Sequence, residues 1–207
     1  MMENINQQAK ELIREHLTFW ELAQVNYAAL EKVQTRVLEV NGYPVLLQFN
    51  PERIRSSAAK IDKASLAARP CFLCEANRPG NQRWIDFGKE YQIMVNPYPI
   101  FPQHLTIPIR AHQEQRIRGR YADMLALAEA LDGFILFYNG PKCGASAPDH
   151  MHFQAGNKGF LPLEKNWRQA CREEVAVKGR AVLYALRNFL QPAFVIVAED
   201  AADAVSL

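Results

Sequence analysis

The sequence predicts an α+β fold, an antiparallel sheet with packed helices behind an N-terminal helical segment. Three observations carry this. A stretch free of Gly and Pro with helical spacing opens the chain, a strand–Asn-Gly–strand pattern follows, and short extended runs then flank one strong helix. With 207 residues, 49% hydrophobic and 22% charged, the chain has an ordinary globular mix and can bury a core without staples.

Residues 5–33 place Leu12, Ile13, Leu17, Trp20, Leu22, Val25, Leu30 and Val33 at roughly helical spacing, which predicts one or two amphipathic helices. His16 falls within this pattern and reads as a surface or core residue. Two β-rich runs, TRVLEV and YPVLLQF, flank Asn41-Gly42, a hairpin signal because both turn positions need positive φ. The polar stretch NPERIRSSAAKIDKASLAARP reads as loop with some helix. Extended runs are expected at 91–95 (YQIMV), 104–109 (HLTIPI), 134–139 (FILFYN) and 150–156 (HMHFQAG). Tyr121 to Asp132 reads as a helix ended by Gly133. The tail offers a helix around 177–190 and a strand at 194–199. No repeat of 20–50 residues is visible. The expected division is a helical segment at 1–35, a main domain at 36–175 and a C-terminal helix and strand at 176–207.

Net charge is +2, which excludes a grossly basic nucleic-acid coat but not a local anion site. Scattered arginines are all that would support nucleic-acid binding. No apolar run approaches the roughly 18 residues that span a bilayer. The polar N-terminus lacks a signal-peptide core. A soluble, cytoplasmic protein without membrane partners is expected, with its four cysteines reduced or metal-bound.

Two clusters carry chemistry. Alternation along a strand puts His150, His152 and Gln154 on one face and Met151 and Phe153 on the other. Upstream lies NGPKCGASAP (139–148), whose small residues can bring backbone N–H groups and a hydroxyl close to an anion. A neutral imidazole is a good nucleophile toward phosphorus, and an amide two residues on can hold a phosphate oxygen. The plain alternative is two ordinary histidines on a half-exposed strand. Cys71-Phe72-Leu73-Cys74 has the gap that lets two thiolates reach one tetrahedral ion, with His104, His112 and His150 as candidate partners. Two buried thiols or a redox pair are the competing readings; Cys143 and Cys171 read as packing residues.

Together, CFLCEAN (71–77), the His112 region and GASAPDHMHFQ (144–154) resemble galactose-1-phosphate uridylyltransferase and its relatives in the histidine-triad (HIT) superfamily, among them dinucleoside polyphosphate phosphorylases and GDP-galactose phosphorylases. HMHFQA is similar to the GDP-galactose phosphorylase version and NGPKCGAS to the diadenosine phosphorylases. The resemblance spans roughly residues 71–156 and implies a HIT-like fold. It implies a structural zinc held by Cys71, Cys74, His112 and His150. His112 is preferred to His104 because it follows the strand HLTIPIRAH, as the family's histidine does. It further implies His152 as nucleophile, Gln154 as support for the nucleotidylated intermediate and Ser146 as phosphate donor. Arg53, Arg55, Lys60, Asn139, Lys142 and Gly144 fall where substrate phosphates would lie, and Arg110 adds positive charge. Ala-Pro-Asp between Ser146 and His150 is one residue longer than the usual spacing. Family chains are commonly two HIT-like halves, and this one ends where a second would be starting.

The activity so implied is nucleotidyl transfer or phosphorolysis through a nucleotidyl-histidine. Substrates would be a nucleotide sugar or dinucleoside polyphosphate with phosphate or sugar phosphate as acceptor, and a homodimer is open as the assembly. The competing functions are a HIT-type nucleotide hydrolase and a non-catalytic, zinc-stabilised nucleotide-binding module.

Overall fold

The computed structural model describes residues 4–53 and 62–207, apart from the side chains of Arg53, Lys63 and Ala67. Arg55 and Lys60 therefore lie outside the described residues, as does the Arg53 side chain. The chain is α+β, with antiparallel sheets and packed helices, as the sequence predicts.

Helix α1 (Ile5–Phe19) starts at Asn4, whose side chain accepts the Asn6 N–H and so satisfies one orphan donor of the first turn. Its buried residues Ala9, Leu12, Ile13 and His16 recur at helical spacing and form one stripe. Helix α2 (Glu21–Ala28) follows after Trp20. The Asn-Gly hairpin is present: β1 (Gln34–Val40) and β2 (Tyr43–Phe49) pair around Asn41 (φ 54°) and Gly42 (φ 79°). A short helix α3 (Lys63–Ala68) precedes the cysteine pair.

The main sheet has five antiparallel strands in the order β3 (Trp84–Phe87), β4 (Tyr91–Val95), β5 (His104–Pro108), β7 (His152–Asn157) and β6 (Phe134–Phe137). Its strands β4 and β5 are buried throughout, and the core around them joins α1, α2 and helix α4 (Tyr121–Ala130). Strand β3, from WIDF, is an edge strand too short to show a period in the sequence.

His16 pins α1 to this sheet. Its Nδ1–H donates to the Leu12 carbonyl (2.7 Å), and its Nε2 accepts the Arg83 N–H (3.0 Å) just before β3. It is fully buried, which makes it a core residue rather than a surface one.

Two expectations are corrected. The histidine strand begins at His152, not His150; His150 sits in a turn closed by its own N–H donating to the Ala147 carbonyl (3.2 Å). The helix expected around 177–190 is instead the hairpin of β8 (Cys171–Lys178) and β9 (Ala181–Arg187), turned at Gly179 (φ 54°). With β10 (Ala193–Ala198) these form a separate three-stranded antiparallel sheet, between helices α5 (Leu163–Gln169) and α6 (Ala201–Ser206) in the chain. Among the described residues no helix is long and apolar enough to cross a membrane.

Candidate active site and metal centre

The segment Cys71–Cys74 folds as a tight turn, with the Cys74 N–H donating to the Cys71 carbonyl (3.2 Å). Asn77 Nδ2 donates to the Cys71 carbonyl (2.9 Å), and Arg78 donates through Nε (2.9 Å) and Nη2 (2.6 Å) to the Leu73 carbonyl. The knuckle is thus held from behind, with both sulfurs free to face the same point.

That point is shared with two histidines that follow β5 and precede β7. His150 Nδ1 lies 3.3 Å from Cys71 Sγ and 3.6 Å from Cys74 Sγ, while His112 Nδ1 lies 3.2 Å from Cys74 Sγ. All four ligand atoms lie within 4.8 Å of one another. At metal–S of about 2.3 Å and metal–N of about 2.0–2.1 Å, a tetrahedron has N···S edges of roughly 3.5 Å, so the arrangement fits such an ion. The His150 Nε2–H donates to the Ile109 carbonyl (2.7 Å), which fixes the tautomer with Nδ1 as the ligating atom. Burial and the adjacent Cys71 sulfur push the Cys74 thiol above its ordinary range, and a cation among these ligands would favour its thiolate. His104 is not part of the group.

His104 instead serves Gln154. The Ile100 N–H donates to His104 Nδ1 (3.2 Å), so the ring proton is on Nε2 and is donated to Gln154 Oε1 (3.1 Å). The Gln154 oxygen is thereby taken, and its NH₂ is the end left to act as a donor.

His152, 4% exposed, opens β7 between Pro108 of β5 and the end of β6. Its Nδ1–H donates to the His150 carbonyl (2.8 Å), leaving the lone pair on Nε2. Burial, together with the nearby His150, holds its pKa below the ordinary 6.5, partly offset by that carbonyl. Burial thus favours the neutral form of the ring.

The remaining candidates lie in the loop between β6 and His150. Lys142, Gly144 (φ 91°) and Ser146 are exposed, and Asn139 stands at the loop's start. Ser146 engages Arg69 through its carbonyl (Nη2, 3.1 Å), and the same Nη2 meets Asp149 Oδ1 (3.4 Å). Arg69 thus ties the loop to the cysteine segment, a role with no sequence signal beyond a basic residue before a proline. Arg110, one of the charges expected to be available to phosphate, is engaged by Asp86 and by Glu75 (3.6 Å). Neighbouring carboxylates already neutralise it.

A yeast Ap4A phosphorylase, Apa2, aligns with this chain at 17% identity and TM-score 0.51, over 90% of this chain and 61% of its own. Its complex with Ap4A aligns at 16% identity and TM-score 0.48, over 82% and 66%. A histidine triad protein from Clostridium difficile aligns at 16% identity and TM-score 0.32, over 44% and 90%. The first alignment shows that this chain shares the phosphorylase's fold, and this chain spans about two thirds or less of the phosphorylase's length. No curated protein matches the sequence. One family model does match, over residues 12–157, from the first buried turns of α1 to the last residue of β7. The chain therefore belongs to the family described as a domain of unknown function, DUF4922.

Proposed function

We propose that this chain is a nucleotidyl-transferring enzyme that works through a covalent nucleotidyl-histidine on His152, with dinucleoside polyphosphates or nucleotide sugars as donors. The observation that carries the reading is the His152 ring: buried, with Nδ1–H donated to the His150 carbonyl and its lone pair on Nε2. Two residues along the strand, Gln154 has its oxygen occupied by His104 and its NH₂ left as a donor for a phosphate oxygen.

In the first half-reaction His152 Nε2 attacks the α-phosphorus, a P–N bond forms, and the P–O bond to the leaving phosphate breaks with its electron pair going to oxygen. In the second, an oxygen of inorganic phosphate or a sugar phosphate attacks the same phosphorus and the P–N bond breaks. The leaving groups are weak bases, so no strong general acid is required. Ser146, Lys142 and Gly144, with Asn139 at the loop's neck, are proposed phosphate contacts, as are Arg53, Arg55 and Lys60.

Cys71, Cys74, His112 and His150 are proposed to hold one zinc ion. Four protein ligands leave no position for water or substrate, so its contribution is structural. These residues anchor the turn from which His152 emerges, and no step of the reaction passes through the metal.

Intact-mass spectrometry after mixing with Ap4A or a panel of nucleotide sugars tests this. The expected result is a nucleotidyl adduct on His152 that persists in water and discharges on adding phosphate or a sugar 1-phosphate. Decay at the same rate without acceptor would make the chain a hydrolase. Binding without adduct would make it a nucleotide-binding module.

A further inference from the structure

The register of β6 against β7 pairs Phe137 with Gln154. Continued by two residues, it would pair Asn139 with His152, yet β6 ends at Phe137. On the other side, the Ile109 N–H donates to the Met151 carbonyl (3.0 Å), so by alternation the N–H and C=O of His152 point toward β6. They would be left without a strand partner.

The side chain of Gln115 occupies that gap. Its Oε1 accepts the His152 N–H (2.7 Å), and its Nε2 donates to the His152 carbonyl (3.0 Å) and to the Asn139 carbonyl (2.9 Å). One amide thus replaces the ladder bonds that the backbone of Asn139 would have made. Its orientation is determined, because the flipped amide would set a donor against an N–H and an acceptor against two carbonyls. Gln115 is fully buried, where unpaired groups are costly.

The backbone of Gln115 extends the tie. Its N–H donates to the Pro148 carbonyl (3.3 Å), and its carbonyl accepts the Tyr138 hydroxyl (2.9 Å). Tyr138 and Asn139 stand where the chain leaves β6, and Pro148 where the Gly/Ser loop returns toward His150. A single residue joins both ends of that loop to the backbone of His152.

We infer that Gln115 is a positioning residue for the nucleophile: inserted like a wedge between β6 and β7, it splays the sheet at His152, holds the loop's neck open and sets the height from which the imidazole projects. The inference rests on the nucleotidyl-histidine reading for its kinetic consequence and on the hydrogen bonds alone for its geometry.

The test uses the full chain with its metal and two substitutions. Gln115→Met keeps length and volume but loses all three side-chain bonds; Gln115→Glu keeps an acceptor for the His152 N–H. In single-turnover nucleotidylation with Ap4A, Gln115→Met should slow adduct formation about 10²-fold, the scale of a small displacement of a reacting group. KM should change by no more than about threefold, because His152 is aligned for attack rather than for ground-state binding. Metal content should be unchanged, since the hydrogen bonds of the Gln115 side chain go to His152 and Asn139, not to the four ligands. In the fully buried site, facing two carbonyls, the carboxyl of Gln115→Glu is protonated and keeps one O–H donor beside its acceptor, so this variant should fall between wild type and Gln115→Met. Hydrogen exchange should show the His152 amide losing protection in Gln115→Met and keeping more of it in Gln115→Glu.

Wild-type rates in Gln115→Met, or an unaltered His152 amide, would overturn the inference. If Gln115→Met does not fold, Gln115→Glu decides the same question by rate and exchange. Should the unsubstituted protein form no adduct at all, the reaction reading fails by itself, and exchange of the His152 amide still decides whether Gln115 holds it.

Discussion

Three histidines near the site do three different jobs, and their hydrogen bonds say which. His150 spends Nε2–H on the Ile109 carbonyl and turns Nδ1 to the sulfurs; His152 spends Nδ1–H on the His150 carbonyl and keeps Nε2. His104 accepts at Nδ1 and donates at Nε2, to Gln154. Substitutions should separate these roles. Cys74→Ser and His112→Ala should each bring metal content down from one ion per chain and lower stability with it, because site formation is coupled to folding. His104→Ala should leave metal content unchanged, and elemental analysis reads all three. His152→Ala should lower turnover by at least about 10³-fold, as removing a covalent nucleophile does, while metal stays bound. Gln154→Glu should be nearly as harmful, since the His104 Nε2–H would occupy one carboxylate oxygen and the other would face phosphate. Near wild-type turnover in His152→Ala removes the covalent mechanism.

At the scale of elements, β7 is where packing and chemistry compete for the same residues. Next to its last residue is Gly156, on which Phe101 lies so tightly that an added Cβ would clash with the ring. Phe101 also packs edge-on against His104 (5.3 Å between centroids), so the glycine sets the seat of the residue that orients Gln154. Gly156→Ala should destabilise the fold by about 1–3 kcal/mol, the range for overpacking a filled core, as a shift in denaturant midpoint at constant slope. A neutral result would mean the ring can move aside. Elements also differ in how openly their sequences declare them. Leu12, Ile13 and His16 repeat at a period only a helix buries, and Asn41-Gly42 prescribes its turn. In β9, Ala181, Val182, Leu183, Ala185 and Leu186 suit a helix and a strand alike. Pairing with β8 and β10 settled it as strand, through bonds no local pattern contains.

Over the whole molecule, the buried histidines make stability depend on pH. Burial lowers the pKa of His16, His150 and His152 from the ordinary 6.5, the first two against a partial lift from the Leu12 and Ile109 carbonyls and the third against that of His150. Below about pH 6.5 the unfolded chain then binds more protons than the folded one, so stability rises with pH through this window and is lost as pH falls. In metal-free protein the urea midpoint should drop between about pH 7 and about pH 5, and a flat profile would contradict neutral, buried rings. Removing the metal with a chelator at neutral pH should itself lower Tm. That loss should vanish in Cys74→Ser, which has no complete site to empty.

The cysteine spacing, the strand carrying His152 and Gln154 and the hairpin were determined by the sequence itself, because each is a local rule: a two-residue gap, a period of two, a turn requiring positive φ. The period of two did not extend to His150, which a turn holds instead. The pairing of Cys71 and Cys74 with His112 was approached by resemblance and reached by distance in the fold. What only the tertiary structure decided is how the candidate site residues are held. Arg69 meets the Ser146 carbonyl across 77 residues, His104 meets Gln154 across 50, and Gln115 meets His152 across 37. Nothing near Gln115 in HQEQRIRGR distinguishes it from a solvated loop glutamine. Its position became visible only when β6 was seen to stop two residues short of closing the ladder on His152, because an unfilled pair of backbone bonds belongs to two strands at once and to neither sequence alone.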